Sequence, residues 1–331
     1  MVADATRRPT YRWPLVTKSP VIIGSERSDV GLVEGARLLS DGASALDAVE
    51  AALRRCEDNL EDHYVGTGGL PNARGDVELD ASLMVGSSRA FGAVGAIKGY
   101  AHPVSVARAV LEGLSQHCLL VGEGAELFAH EQGFEAAELL TDASRRIFYE
   151  ALAPSDTAIE GENTLASAGD DLYRVRALEL VTRFRPHDGP WGTINVIALD
   201  ESGEMVVGVS TSGYPWKYPG RVGDSALPGA GNYCDLRYGG AACTGRGELS
   251  MRVLGARSVV DHLARGADPT SACRAMLAEA ATLPDLFRSE LRTLCLTPDG
   301  RHGAAASQGG ATYSVIRCDV GELEVLPRAT S

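Results

Sequence analysis

Long apolar runs are missing from this chain. Nowhere does it hold the ~18 consecutive apolar residues that a membrane-spanning helix needs, and its first two dozen residues contain no apolar stretch of signal-peptide length. A cytosolic protein is the expectation. Paired metal- and disulfide-type spacings are missing too. Seven cysteines (Cys56, Cys118, Cys234, Cys243, Cys273, Cys295, Cys318) are scattered with no C-x-x-C, which reads as buried reduced thiols. Seven histidines form no H-E-x-x-H, so no catalytic metal is expected. No G-x-x-x-x-G-K-[ST] occurs, which removes the phosphate-binding P-loop. Positive charge is scarce: 31 Lys and Arg stand against 44 Asp and Glu, a net charge of −13. That balance argues against nucleic acid or an anionic membrane as the partner.

What is present is ordinary globular material: 331 residues, 44% hydrophobic and 23% charged, enough for a large core in one domain or two. Residues 20–24 read as a buried strand. Ser44-Ala-Leu-Asp47 reads as a capping box opening a helix to about Cys56, with Leu46, Val49, Ala52 and Leu53 on one face. A glycine-rich loop (Gly66 to Asn72) precedes short strands at Val77–Asp80 and Gly92–Ile97. Pro103 starts a helix striped by Val106, Ala109, Val110 and Leu114. Another helix is expected near 142–151.

Residues 153–171 are small, polar and aperiodic, an exposed linker that the following polar stretch extends to about 190. Strands return at Ile194–Leu199 and Met205–Ser210, joined by a turn at Asp200–Gly203, and their near-continuous apolar character suggests cover on both faces. Helices follow at 249–264 and 270–282, the second entered through Asp268-Pro269. Strands at 291–297, 302–307 and 311–317 complete the pattern. The order fits a sheet-rich core with helices outside, and a two-sheet sandwich or two domains both remain open.

Four features carry chemistry. Gly192-Thr193 starts a buried strand directly after the linker, and Thr211 ends the paired strand. Gly220-Arg-Val-Gly-Asp224 puts a cation and an anion three residues apart between glycines. Thr244-Gly245-Arg246-Gly247 is a glycine-rich loop with a hydroxyl and unencumbered backbone N–H groups. Gly68–Asn72 followed by Val77–Asp80 is the fourth. Each has a plain structural reading: a β-forming threonine, a surface ion pair, a turn.

Together they resemble a known family. Gly192-Thr-Ile, Ser210-Thr-Ser-Gly213, Gly220-Arg-Val-Gly-Asp-Ser225, Gly229-Ala-Gly231 and Ala242-Cys-Thr-Gly245 are similar to the β-subunit signature of plant-type asparaginases, isoaspartyl peptidases and glycosylasparaginases. The text of Asp41–Ala51, Gly68–Asn72, Val77–Ala81 and His102–Gly113 agrees with the first half of that family.

The resemblance implies an α+β fold, the four-layer αββα sandwich of N-terminal nucleophile hydrolases. It implies a precursor that cleaves itself between Gly192 and Thr193, giving an α-subunit (1–192) and a β-subunit (193–331) that form one compact domain. Gly192 suits a strained peptide, since glycine tolerates unusual φ/ψ. After cleavage the Thr193 hydroxyl would be the nucleophile and its α-amine, titrating near ~7.7–8.0, the base. Thr211 would hydrogen-bond the nucleophile, while the Thr244 hydroxyl and Gly245 N–H would form the oxyanion hole. Arg221 would clamp the substrate carboxylate and Asp224 its ammonium, together matching a zwitterionic aspartyl head group.

No cofactor is implied. Some relatives carry a structural Na⁺ loop, and no residues here identify one. The partner is a small β-aspartyl substrate, and the assembly a dimer of αβ heterodimers.

Three departures stand out. Asn195 occupies a position that is glycine in many relatives. Gly192 replaces the aspartate of the lysosomal branch. Gly24-Ser-Glu-Arg-Ser28 stands where lysosomal glycosylasparaginases carry Thr-Trp-Pro-Phe. The last two tilt the expectation toward asparagine and β-aspartyl peptides over glycosylated asparagine. The reading from another class is an unprocessed, non-catalytic binding protein.

Overall fold

The computed structural model describes residues 19–152, 177–183, 192–285, 287 and 290–331. Its largest element is an eight-stranded sheet built mainly from antiparallel pairs. Strands β1 (Val21–Ser25), β5 (Thr193–Leu199) and β6 (Met205–Thr211) lie at its centre, beside β2 (Leu79–Val85) and β3 (Phe91–Ile97). β4 (Leu119–Val121) closes one edge, and β11 (Thr312–Arg317) and β12 (Leu323–Pro327) close the other. A second, five-stranded sheet runs β13 (Ala329–Thr330), β10 (His302–Ala306), β9 (Leu291–Leu296), β8 (Gly239–Gly245), β7 (Asn232–Asp235).

Every residue of β1, β5 and β6 is buried, and the two-residue alternation of a strand divides them between two cores. Ile22, Ile194, Val196 and Ala198 join helices α1 (Asp29–Ser40), α2 (Ala45–Glu57), α3 (Pro103–Gly113) and α4 (Gly122–Glu131) in one cluster. Val21, Ile23, Ile197 and Leu199 instead meet Ala242, Leu294, Leu296 and Ala304 of the five-stranded sheet. The far face of that sheet, through Ala241, Cys243 and Cys295, packs on α8 (Gly255–Ala264) and α9 (Pro269–Ala280). Both faces of both sheets are therefore covered, which is why the strands read as unbroken apolar runs.

The start signals operate as expected. The Ser44 hydroxyl accepts from Asp47 N–H at the head of α2. Asp268 caps α9 through Ser271 N–H with Pro269 in its first turn, and Pro103 opens α3.

Several expectations are corrected. The strand expected at Val77–Asp80 runs Leu79–Val85. The helix expected over 249–264 is two, α7 (Gly247–Val253) and α8, broken at Leu254, which adopts φ +50°. Thr244 and Gly245 end strand β8 rather than lying in a loop. Cys118 is exposed, against the expectation of buried thiols, and all seven cysteines are free. Helix α5 (Asp142–Leu152) follows the expectation; the linker beyond it lies outside the described residues, apart from Ala177–Arg183, which forms helix α6. Among the described residues no helix is long and apolar enough to cross a membrane.

Candidate active site

The site occupies one end of the layer between the sheets. Because β5, β6 and β2 are antiparallel in turn, the start of β5, the end of β6 and the start of β2 share one edge. Thr193 pairs with Thr211, and Thr211 with Asp80. By the strand alternation, Thr193 and Asn195 lie on the same face as Ile197, Thr211 on that of Val209, Asp80 on that of Met84, and Thr244 on that of Ala242. Apolar side chains thus fill the layer's interior and polar ones its end. Buried polar groups are costly unless hydrogen-bonded, and here they bond chiefly to one another.

The Thr193 hydroxyl donates to Thr211 Oγ1 at 3.3 Å. The Thr211 oxygen also accepts Gly213 N–H at 2.9 Å, which leaves its own proton for the Gly192 carbonyl, 3.0 Å away. A hydroxyl therefore stands beside a peptide carbonyl that a second hydroxyl polarises. The Thr193 carbonyl is fixed from the other side by Ser25 Oγ (3.1 Å) and Thr244 Oγ1 (3.4 Å). Ser25 Oγ in turn accepts Asn195 N–H at 2.9 Å. The Asn195 amide donates to Thr244 Oγ1 and to the Cys243 carbonyl. Asn195 and Ser25, which the sequence marks only as departures from the family pattern, are thus direct neighbours of the candidate nucleophile and oxyanion donor.

Beyond the backbone freedom expected of Gly192, space constrains it. A β-carbon there would lie 1.9 Å from Tyr64 Cβ and 2.4 Å from the Arg27 guanidinium. Gly245 needs both properties, with φ +111° and a β-carbon position 2.3 Å from the Glu290 carbonyl oxygen.

Arg221 and Asp224 come together across Gly247. A β-carbon there would sit 2.7 Å from Asp224 Oδ1 and 3.1 Å from Arg221 Nη2. Arg221 donates through Nε (3.1 Å) and Nη2 (2.8 Å) to Glu248 Oε1, and Arg246 pairs with Glu248 Oε2 at 3.1 Å. Burial opposes ionisation of Glu248, but these two guanidiniums hold its carboxyl below the usual value. Asp224 goes the other way. Burial pushes its carboxyl up to about 7 against the pull of Arg221, and its Oδ2 is buried with no partner.

The segment carrying Arg221 is held by the first-half motif. Asp80 accepts Gly223 N–H (2.9 Å) and Ala96 N–H (2.8 Å), and Glu78 accepts Gly220 N–H (2.9 Å). The buried Lys217 ammonium donates to the Glu78 carbonyl at 2.9 Å.

One cavity is lined by Gly192, Thr193, Thr211, Arg221, Asp224 and Gly245. Its free volume is about 20 Å³, room for roughly one water. The expected site residues therefore converge, with Thr244 buried directly behind Thr193. Among the described residues no group of three or more His, Cys, Asp or Glu is arranged to hold a metal ion.

The chain is similar to known proteins over most of its length. The family model for asparaginase matches residues 28–316. The N(4)-(beta-N-acetylglucosaminyl)-L-asparaginase of Rattus norvegicus is 34% identical over 82% of this chain and 79% of its own length. The protein of the same name from Elizabethkingia miricola is 33% identical over 91% of this chain and 83% of its own. The isoaspartyl peptidase/L-asparaginase of Xenopus laevis is 34% identical over 74% of this chain and 72% of its own.

Proposed function

The chain belongs to the asparaginase family, enzymes that hydrolyse amide bonds, and from that premise we propose that it cuts itself before Thr193 and then uses Thr193 to hydrolyse β-aspartyl amides. The observation that carries this reading is the Thr193–Thr211–Gly192 relay, set beside a cavity that holds one cation and one anion.

In maturation, Thr193 Oγ adds to the Gly192 carbonyl carbon while Thr211 donates to the carbonyl oxygen. The C–N bond breaks and nitrogen takes the proton, leaving an ester. Water hydrolyses the ester to a Gly192 carboxylate and restores the Thr193 hydroxyl beside the amine that the C–N cleavage has freed. The product is an α-subunit of residues 1–192 and a β-subunit of 193–331. The three clusters described above support a four-layer αββα arrangement for the pair, and the family resemblance supports a dimer of such αβ units.

Turnover repeats the chemistry on a substrate carbonyl. The α-amine now accepts the hydroxyl proton, which an amide nitrogen cannot do, so the uncut chain is silent. Thr244 Oγ1 and Gly245 N–H stabilise the oxyanion, an element worth ~2.7–4 kcal/mol per donor. Arg221 releases Glu248 to bind the aspartyl carboxylate, and Asp224 binds the ammonium.

Asparagine and β-aspartyl peptides are the substrates we favour. Hydrolysis of glycosylated asparagine is the second reading, supported by the rat and Elizabethkingia relatives, which the chain matches over more of their length than the frog protein.

Mass spectrometry of purified protein tests the proposal. Wild type gives a β-chain beginning Thr-Ile-Asn-Val, and Thr193→Ala stays full length and inactive. A wild-type protein that remains one uncut chain would instead favour a non-catalytic binding role, and cleavage persisting in Thr193→Ala would refute the chemistry.

A further inference from the structure

Ser25, Glu26 and Arg27 follow the first strand, beside the nucleophile, and the structure gives them separate fates. Ser25 is buried and engaged by Thr193 and Asn195. Glu26 is taken up by Arg328, at 2.9 and 3.0 Å, and by Arg292 at 3.5 Å. Arg27 is different. It is one-third exposed, sits at φ +66°, and stacks over the Tyr64 ring with its guanidinium carbon 5.0 Å from the centroid. Its Nη1 donates to Asp62 Oδ1 at 3.0 Å, and Asp62 is itself held by Tyr64 N–H. Among the described residues, Nε and Nη2 meet no acceptor. The side-on edge of the fork, the edge that takes a carboxylate with two parallel bonds, is therefore free.

That edge faces the scissile position. Nη2 is the atom that would lie 2.4 Å from a β-carbon on Gly192, so it touches the flank of the Gly192 α-carbon, two bonds from the Thr193 nitrogen. Self-cleavage cuts Gly192 loose from Thr193, so that it can withdraw from this space. A leaving amine must come within hydrogen-bond reach of the Thr193 amine to receive its proton. In an amino-acid leaving group the carboxylate is two bonds beyond that nitrogen. With Glu26 neutralised by its own arginines, no carboxylate of the 25–27 segment competes.

We propose that Arg27 is a specificity residue that binds the α-carboxylate of the departing amino acid, so that the substrates are β-aspartyl peptides with a free carboxyl next to the scissile amide. The inference rests on Thr193 being the nucleophile.

Processed wild-type enzyme is assayed with β-aspartyl-alanine, its C-terminal amide, asparagine and N-acetylglucosaminyl-asparagine. The free dipeptide exceeds its amide by roughly tenfold or more in kcat/KM, chiefly through KM. Arg27→Gln reduces that ratio to below about threefold and leaves asparagine within about twofold of wild type. Equal rates for the dipeptide and its amide in wild type overturn the proposal. So does an Arg27→Gln variant that loses activity equally on every substrate, or a glycosylated substrate preferred over the free dipeptide. Should Arg27→Gln fail to process, the wild-type pair decides alone. Absence of any hydrolysis, asparagine included, would refute the Thr193 reading instead.

Discussion

Buried Asp224 and half-buried Glu248 both stand beside Arg221, yet their carboxyls shift in opposite directions. Both lose water on folding. Glu248 recovers the loss through two guanidiniums, whereas Asp224 has the pull of Arg221 alone. An acid whose folded pKa is raised binds its proton more tightly in the native state. Its stabilising contribution is present below the unfolded value near 3.8 and is lost as pH rises through about 7. At neutral pH this aspartate therefore weakens the fold, and an ammonium ligand would supply the missing partner. L-aspartate, the expected product, provides the test. Its binding to processed protein, followed by calorimetry from pH 5.5 to 8.5, should weaken about tenfold per unit below pH 7. It should be nearly level just above that pH. An affinity that is flat from pH 5.5 to 8 would remove Asp224 from the ammonium site.

At the scale of elements, the first-half motif acts through β2. Asp80 accepts two backbone N–H groups, one from β3 and one from the segment bearing Arg221. Asp80→Asn places an amide donor against one of them, leaving a buried donor unmatched at a cost of about 1–3 kcal/mol. Steady-state kinetics should show KM raised by roughly tenfold with kcat reduced less, because in the proposed mechanism the displaced loop binds the substrate's head group rather than its reacting carbonyl. A kcat loss at unchanged KM would contradict that division.

Asp80 also marks how far the sequence could be read. Its motif was visible, but its partners lie 16 and 143 residues away, a pairing that only the folded topology creates. Strands β1, β5 and β6 were legible because burial on both faces leaves an unbroken apolar run. Helices α2, α3 and α9 were legible because their first residues carry caps or proline. Helix α1 was not, since its buried face includes Gly31 and Gly35, which resemble loop residues. They are small for packing reasons: a β-carbon on Gly31 would meet the Ala52 carbonyl at 2.0 Å, and one on Gly35 would meet Ile22 Cδ1 at 2.6 Å. Strand β8, Gly-Gly-Ala-Ala-Cys-Thr-Gly, was hidden likewise, its Gly240 set close beneath Val207. The candidate nucleophile and head-group residues were legible through motif resemblance. The supporting contacts of Ser25 and Asn195 were not, because each depends on a neighbouring strand.

For the whole molecule, the proposed mechanism makes the uncut chain its own plug. The cavity between Thr193, Arg221 and Asp224 holds about 20 Å³, far below the roughly 300 Å³ at which small-molecule pockets begin. Two internal groups fill the places a substrate needs. The Gly192 carbonyl takes the Thr211 proton, and Glu248 takes the Arg221 fork. On the proposed mechanism, cleavage would release the first, and a ligand carboxylate would displace the second. Binding and catalysis should therefore switch on together. Full-length Thr193→Ala, which retains the peptide bond, should bind L-aspartate at least about a hundredfold more weakly than processed wild type, a difference of about 2.7 kcal/mol. Calorimetry on the two proteins at pH 8, where Asp224 is ionised, measures this directly. Equal affinity would mean that the head-group site is already open in the precursor. The cut would then supply only the amine base, and opening of the pocket would play no part in activation.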